Sequence, residues 1–258
     1  MRTGPLDASA LALAIRPLGS FPEVRAGDDL GALLAAAAPD DLDGGDVVAV
    51  AHKVVSKAEG RTRALDLVIP GERARALAER VGRDARLVQV VLDESAEVLR
   101  AEPGRLIART HHGLVCANAG VDLSNVPEGD VVLLPRDPDR SARELRAALG
   151  ARRGVRPAVV VSDSFGRPWR LGQTDVAVGA AGLLALDDWR GRHDARGREL
   201  SATAIAVADA VAGAADLVRT KDGDRPAVLV RGLARFVSEE DGAGAVALQR
   251  RLAEDLFR

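Results

Sequence analysis

Apolar β-branched runs alternate along this chain with one-sided helical stripes. The runs at 47–51, 159–161 and 228–231 are apolar at almost every position, the pattern of buried strands. Shorter apolar stretches predict further strands at 11–16, 64–69, 106–109, 114–117 and 131–134. Helices are expected from Asp28 or Asp29, either of which can cap the alanine-rich segment ending near Ala38, and at 72–81 and 84–99. In the last of these, Leu87, Val90, Val91, Val98 and Leu99 form a one-sided apolar stripe that belongs to the core. Three more helices are predicted at 141–149, 204–218 and from Glu239 onward. With strands and helices alternating and no long linker or repeat, the chain reads as α/β (α+β), with mixed sheets and packed helices.

Polar residues gather where apolar runs end. The run at 159–161 gives way to Ser162, Asp163 and Ser164, then to an expected loop holding Arg167, Trp169, Arg170, Gln173 and Asp175. The run at 47–51 ends in His52 and Lys53. A buried strand that delivers a carboxylate or a cation to its tip is a rigid base for a binding site.

Length and composition narrow the class. At 258 residues and 47% hydrophobic content the chain can bury one core or two joined lobes. No run approaches the roughly 18 apolar residues that a membrane span needs. The N-terminus carries an acid before its apolar stretch, so no signal peptide is expected. A lone cysteine, Cys116, excludes an intrachain disulfide framework and agrees with a cytoplasmic setting. A net charge of -2 and 2% aromatic residues argue against nucleic-acid binding and base stacking. Only Lys53, Lys57 and Lys221 are lysines among 36 basic side chains, and a lysine is a compact point charge suited to phosphate.

Familiar signatures are absent: no GxxxxGK[ST] loop, no GxGxxG after a strand, no zinc spacing and no GxSxG elbow. What remains is a set of oxygen donors, Asp122, Asp163 and Ser164, beside Lys53, Lys57, Arg167 and Arg170. Oxygen donors favour Mg²⁺ or Mn²⁺, and such an ion could bridge nucleotide phosphates. Spacing alone does not bring these loops together, so at this point a metal-phosphate site and a set of unrelated surface loops both stand.

Five motifs in order change that balance: KVVSKAEG at 53–60, His112-Gly with CANAGVDLSNV at 116–126, SDSFGRPWRLGQTDVAVG at 162–179, GREL at 197–200 and VRGL at 230–233. Together they resemble the coenzyme F420-0:L-glutamate ligase family, over about 17–233. The tail at 254–258 looks like the end of this domain in actinobacterial members, some of which continue into a nitroreductase-like domain that is not expected in this chain. The resemblance implies a single domain over 1–258 in an intertwined homodimer. It further implies GTP-dependent addition of L-glutamate to coenzyme F420-0 through an acyl phosphate, with later γ-linked glutamates.

Carried onto this sequence, the resemblance makes Asp122 and Asp163 ligands of one divalent ion, Mg²⁺ or Mn²⁺, and Ser164 a ligand of a second; a monovalent cation is a further possible ligand. Phe21, Pro22, Glu23, Val24, His52, Lys53, Lys57 and Asn125 become GTP contacts. The loop at 219–226 lacks a glutamate that several relatives use at the second ion; Lys221 is expected to contact phosphate there, with Asp222 as a substitute ligand. Arg167 and Arg170 are expected at the precursor's phosphodiester or the incoming glutamate, or else in a salt bridge to Asp175 or Glu199. His112 is the first general base to test, and Cys116 a packed residue. A ligase with another acceptor acid and a precursor-binding domain without turnover are the alternatives.

Overall fold

The apolar runs at 47–51, 158–161 and 227–231 end up side by side in the centre of one sheet. In the computed structural model, which describes residues 12–256, the chain begins with β1 (Ala14–Pro17), α1 (Leu30–Ala37), β2 (Val47–Ala51), α2 (His52–Ala58) and β3 (Thr62–Ala64). It continues through α3 (Glu72–Val81), α4 (Ala85–Asp93), β4 (Ser95–Glu102), β5 (Arg105–Thr110), β6 (Val115–Ala117) and β7 (Asp130–Val132). Next come α5 (Pro138–Arg153), β8 (Ala158–Arg167), β9 (Arg170–Ala181), β10 (Leu186–Asp188), β11 (Ala204–Ala206), α6 (Val207–Asp216) and β12 (Ala227–Arg231). The mixed α/β class read from the pattern is the one observed.

The main sheet has the order β1-β12-β2-β8-β9, with β2 and β8 parallel and the other neighbours antiparallel. Alternation sorts each central strand between two helical layers. Val48, Val50, Val159, Val161 and Leu229 pack with Leu34 of α1 and Leu145 and Leu149 of α5. Their neighbours Val47, Ala49, Val160, Val228 and Val230 pack with Val207, Val211 and Ala215 of α6. Covered on both faces, these strands have no polar positions to alternate, which is why they read as continuous apolar runs. A second lobe packs α3 and α4 on β4-β5-β6, around Val81, Leu87, Val90, Val91, Leu106 and Ala108.

The fit at one contact between sheet and helix is tight enough to test. A Cβ built on Gly179 of β9 would stand 2.1 Å from the Pro138 carbonyl oxygen and 2.3 Å from its carbon. Both are backbone atoms at the start of α5, so neither can swing aside. Gly179→Ala should therefore cost about 1–3 kcal/mol, the usual range for overpacking. Urea melts of the two proteins measure this, and equal midpoints would refute the packing account.

Several boundaries differ from the sequence expectation. The helix expected over 84–99 stops at Asp93, where the Ser95 hydroxyl donates to the Val91 carbonyl at 2.5 Å. Leu99 then lies in β4, paired with β5 and 38% exposed rather than in the core. The strand expected at 64–69 is β3 followed by a 3-10 turn, and the first strand is Ala14–Pro17, Leu11 lying outside the described residues. Ala204–Ala206 is a strand, so the helix expected from 204 starts at Val207.

No regular helix follows Glu239 among the described residues. The buried Arg146 guanidinium donates to the carbonyls of Ser238 and Glu239 and pairs with Asp241. Asp139 accepts from the N–H groups of Ala245 and Val246. With side chains holding these groups, and Gly242 and Gly244 at positive φ, the segment has only short 3-10 turns.

Candidate active site

Strand direction explains why four loops meet at one edge of the main sheet. The parallel strands β2 and β8 end together, Ala51 opposite Ser162. Strand β12 runs against them, so the loop 219–226 that precedes it arrives at the same edge, and Ala51 N–H donates to the Pro226 carbonyl at 2.9 Å. Strand β1 in turn leaves there, and Phe21 N–H donates to the Asp224 carbonyl at 2.8 Å. A crevice beyond the carboxyl ends of parallel strands is where open α/β sheets bind ligands.

The cleft so formed has a volume of about 380 Å³, within the ~300–1,000 Å³ typical of small-molecule sites. Phe21, Pro22, Glu23 and Val24 line one wall; His52, Lys53 and Lys57 of α2 line another. Lys53 and Lys57 are one helical turn apart and so share a face. Asp122 and Asn125 come from the second lobe, Asp163 and Ser164 from β8, and Lys221 and Asp222 from the loop after α6.

Opposite charges knit these groups together. Lys53 Nζ lies 2.7 Å from Asp122 Oδ2 and also donates to Ser124 Oγ, joining the two lobes. Lys57 Nζ lies 2.6 Å from Glu23 Oε1. His52 is buried, its Nδ1 3.3 Å from Ser56 Oγ and its Nε2 3.1 Å from Asp163 Oδ1, a close contact without the alignment of a hydrogen bond. Burial pushes the Asp122 carboxyl upward, yet the Lys53 ammonium and the Ser124 N–H prevail and hold it below the usual aspartate range. The Asp122 loop is braced by a two-way backbone pair with Val132. It bends through three non-glycine residues in the left-handed region, Asn118 (φ 51°), Ala119 (φ 52°) and Asn125 (φ 58°). Such conformations cost about 1–3 kcal/mol each and concentrate at ligand clamps.

A second cluster adjoins the first. Asp175, 1% exposed, accepts from Ser162 at 2.8 Å and Ser164 at 2.7 Å, and pairs with Arg219 and with Lys221 at 3.4 Å. Burial raises its carboxyl, but the Arg219 charge and the two hydroxyls outweigh that and hold it low.

The family match covers 19–232, and the matching model is described as F420-0:Gamma-glutamyl ligase. The chain belongs to this family. Similar relatives include the Coenzyme F420:L-glutamate ligase of Methanopyrus kandleri, 47% identical over 95% of this chain and 98% of the relative. That of Methanothermobacter thermautotrophicus is 43% identical over 92% and 96%, and that of Haloarcula marismortui 45% identical over 92% of each.

Every nucleotide and metal residue expected from the family resemblance therefore lines one cleft. Three catalytic candidates do not. His112 Nε2 stands 3.1 Å from the Arg136 carbonyl, away from the cleft. Arg167 and Arg170 pair across the turn between β8 and β9, a hairpin where a loop was expected. Arg167 donates to the Leu171 and Gly172 carbonyls, and neither arginine reaches Asp175 or Glu199. The sequence reading also missed the partners of Asp175. The cross-strand register was the signal for them: in the hairpin, Asp175 sits directly opposite Ser164. Cys116 is buried as expected, its thiol pushed up to about 12 by that burial and by the nearby Asp163 charge, so it is a packed, inert group.

The donor set suits one hard divalent cation. Asp122 and Asp163 offer carboxylate oxygens at the cleft, and Mg²⁺ is typically held by one or two carboxylates plus substrate phosphates. Among the described residues no group of three His, Cys, Asp or Glu side chains converges, so phosphate and water oxygens would complete the coordination. No helix among the described residues is long and apolar enough to cross a membrane.

Proposed function

We propose that the chain is a GTP-dependent ligase that joins L-glutamate to the carboxylate of coenzyme F420-0, and then adds further γ-linked glutamates. The observation that supports this best is the convergence of Lys53, Lys57, Asp122, Asn125, Asp163 and Ser164 in one cleft from loops far apart in sequence. Relatives spanning nearly the whole chain carry the ligase name.

The chemistry needs charge stabilisation more than a covalent nucleophile. A carboxylate oxygen of the precursor bonds to the γ-phosphorus as the bond from phosphorus to the GDP oxygen breaks. The resulting acyl phosphate has a good leaving group. Glutamate, its ammonium proton left in solvent, then attacks the acyl carbon through nitrogen; phosphate departs with the former carboxylate oxygen and takes up the second proton that the nitrogen loses. Lys53 and Lys57, now paired with Asp122 and Glu23, would exchange these carboxylates for phosphate oxygens. Asp122 and Asp163 would hold a Mg²⁺ or Mn²⁺ ion, which when bound neutralises charge on the transferring phosphoryl group. Bound substrate would exclude water from the cleft, so these fixed charges act at a lower effective dielectric.

Incubation with GTP, Mn²⁺, L-glutamate and the precursor tests the reading. A product heavier by one glutamyl unit, with glutamate-dependent release of GDP, is expected. GDP release that needs a different acceptor acid, or GTP binding with no turnover, would overturn it.

A further inference from the structure

Lys221 follows α6 in the loop that closes the cleft, and its ammonium sits among three oxygens from three different elements. Nζ lies 2.8 Å from Ser164 Oγ on β8, 3.4 Å from Asp175 Oδ1 on β9 and 2.5 Å from Asp216 Oδ1 on α6. Three oxygens converging on one point are the surroundings that a small cation takes. We infer that Lys221 occupies the place of a second cation beside the Asp122–Asp163 site, so that each chain takes one divalent ion with its nucleotide and not two. This rests on the nucleotide reading proposed above.

The bonding already present there leaves little for a metal. The Ser164 hydroxyl donates its single hydrogen to Asp175 Oδ1 at 2.7 Å and accepts from Lys221. Asp175 Oδ2 accepts from Ser162 at 2.8 Å and pairs with the buried Arg219. Counting charge, Asp175 and Asp216 balance Arg219 and Lys221, so the cluster is neutral as it stands. A divalent ion entering it would add two positive charges beside a guanidinium that is buried and cannot leave. The Asp122–Asp163 pair differs. Its one lysine, Lys53, is a cleft residue free to turn to phosphate, and Asp163 has the His52 ring and the Ser164 N–H beside it but no arginine or lysine.

The ordinary alternative is that Lys221, whose side chain is 64% exposed, forms a surface ion pair with Asp216 and swings away when an ion arrives. The two accounts predict different metal counts. The full chain is saturated with GDP and titrated with Mn²⁺, and free Mn²⁺ is followed by its electron paramagnetic resonance signal. One bound Mn²⁺ per GDP-loaded wild-type chain is expected. In Lys221→Glu the cluster carries a net charge of -2, and two bound Mn²⁺ per chain are expected. Lys221→Met, which leaves the cage without adding a carboxylate, should stay at one tight ion and hold GDP about tenfold more weakly in the absence of metal, the loss of one charge-assisted phosphate contact.

Two Mn²⁺ on the wild type, or one on both the wild type and Lys221→Glu, would overturn the inference while leaving the nucleotide reading intact. If the wild type takes up no GDP at all, the nucleotide reading fails and this inference with it. The wild-type count does not depend on either variant folding.

Discussion

Asp163→Asn is expected to lower the rate of glutamyl transfer by about 10³-fold, the scale of losing one preorganised electrostatic contact to a reacting centre. The amide keeps the shape of the carboxylate and removes its charge, so the variant asks what that charge does. Asp163 is part of β8, where backbone pairing to β9 continues on both sides of it. Its side chain forms no salt bridge with an arginine or lysine; the Ser164 N–H donates to its Oδ1 at 2.8 Å, a bond an amide oxygen can also accept, and His52 Nε2 stands 3.1 Å away. Stability should therefore change little, by roughly 1 kcal/mol or less, as expected when no buried ion pair is broken. Affinity for GDP without metal should also hold, because Lys53 and Lys57 remain. Mn²⁺-dependent tightening of GDP binding should be lost along with turnover. Calorimetric titrations with and without Mn²⁺ separate these effects. If turnover falls while the Mn²⁺ effect on GDP binding persists, Asp163 is not a ligand of the ion.

Much of this was legible because the main sheet is buried on both faces. Continuous apolar runs mark β2, β8 and β12 in the sequence, and the polar residues at their ends mark the cleft. What was hidden depends on pairing between distant segments. The extra length of β8 and β9 comes from a hairpin whose turn holds Arg167 and Arg170, and beyond Phe165 its tip is exposed, Trp169 and Leu171 included, so no buried apolar alternation announces it. The strand β4 follows α4 with no glycine or proline to signal the change, and it is held by β5. The segment after Glu239 has helical composition, yet Arg146 and Asp139 claim its backbone groups from α5. The same dependence on tertiary context hid Asp175, whose importance appears only when Arg219 is seen beside it. His112 opens one of the motifs of the family pattern, but its ring meets the Arg136 carbonyl rather than the cleft.

That buried pair carries the largest stability effect expected in the molecule. Arg219→Met should cost about 3–5 kcal/mol, because it leaves Asp175 as an uncompensated buried charge. At roughly 2–4 °C of Tm per kcal/mol for a chain of this size, the melting point should fall by about 6–20 °C. Lys221 cannot compensate fully: its Nζ is 3.4 Å from Asp175 and its side chain is largely exposed. The pH dependence gives the prediction its sign. In the wild type the Asp175 carboxyl is held below its usual value, against the effect of burial, chiefly by the Arg219 charge. The pair therefore contributes stability above the ordinary aspartate range, and that contribution is lost as pH falls through the lowered value. Without the guanidinium, burial dominates and the carboxyl is pushed up, so lowering the pH from neutrality relieves the variant before it affects the wild type. The stability gap between the two should then narrow on acidification, measured by urea melts at neutral pH and again at about pH 5, one unit above the ordinary aspartate value. The double variant Arg219→Met, Asp175→Asn should recover more than half of the loss, since it removes the unpaired charge itself. A gap independent of pH, with no recovery in the double variant, would mean that Arg219 acts through packing and its contact with the Pro226 carbonyl. In that case Asp175 would not be what fixes Ser162 and Ser164 at the edge of the cleft.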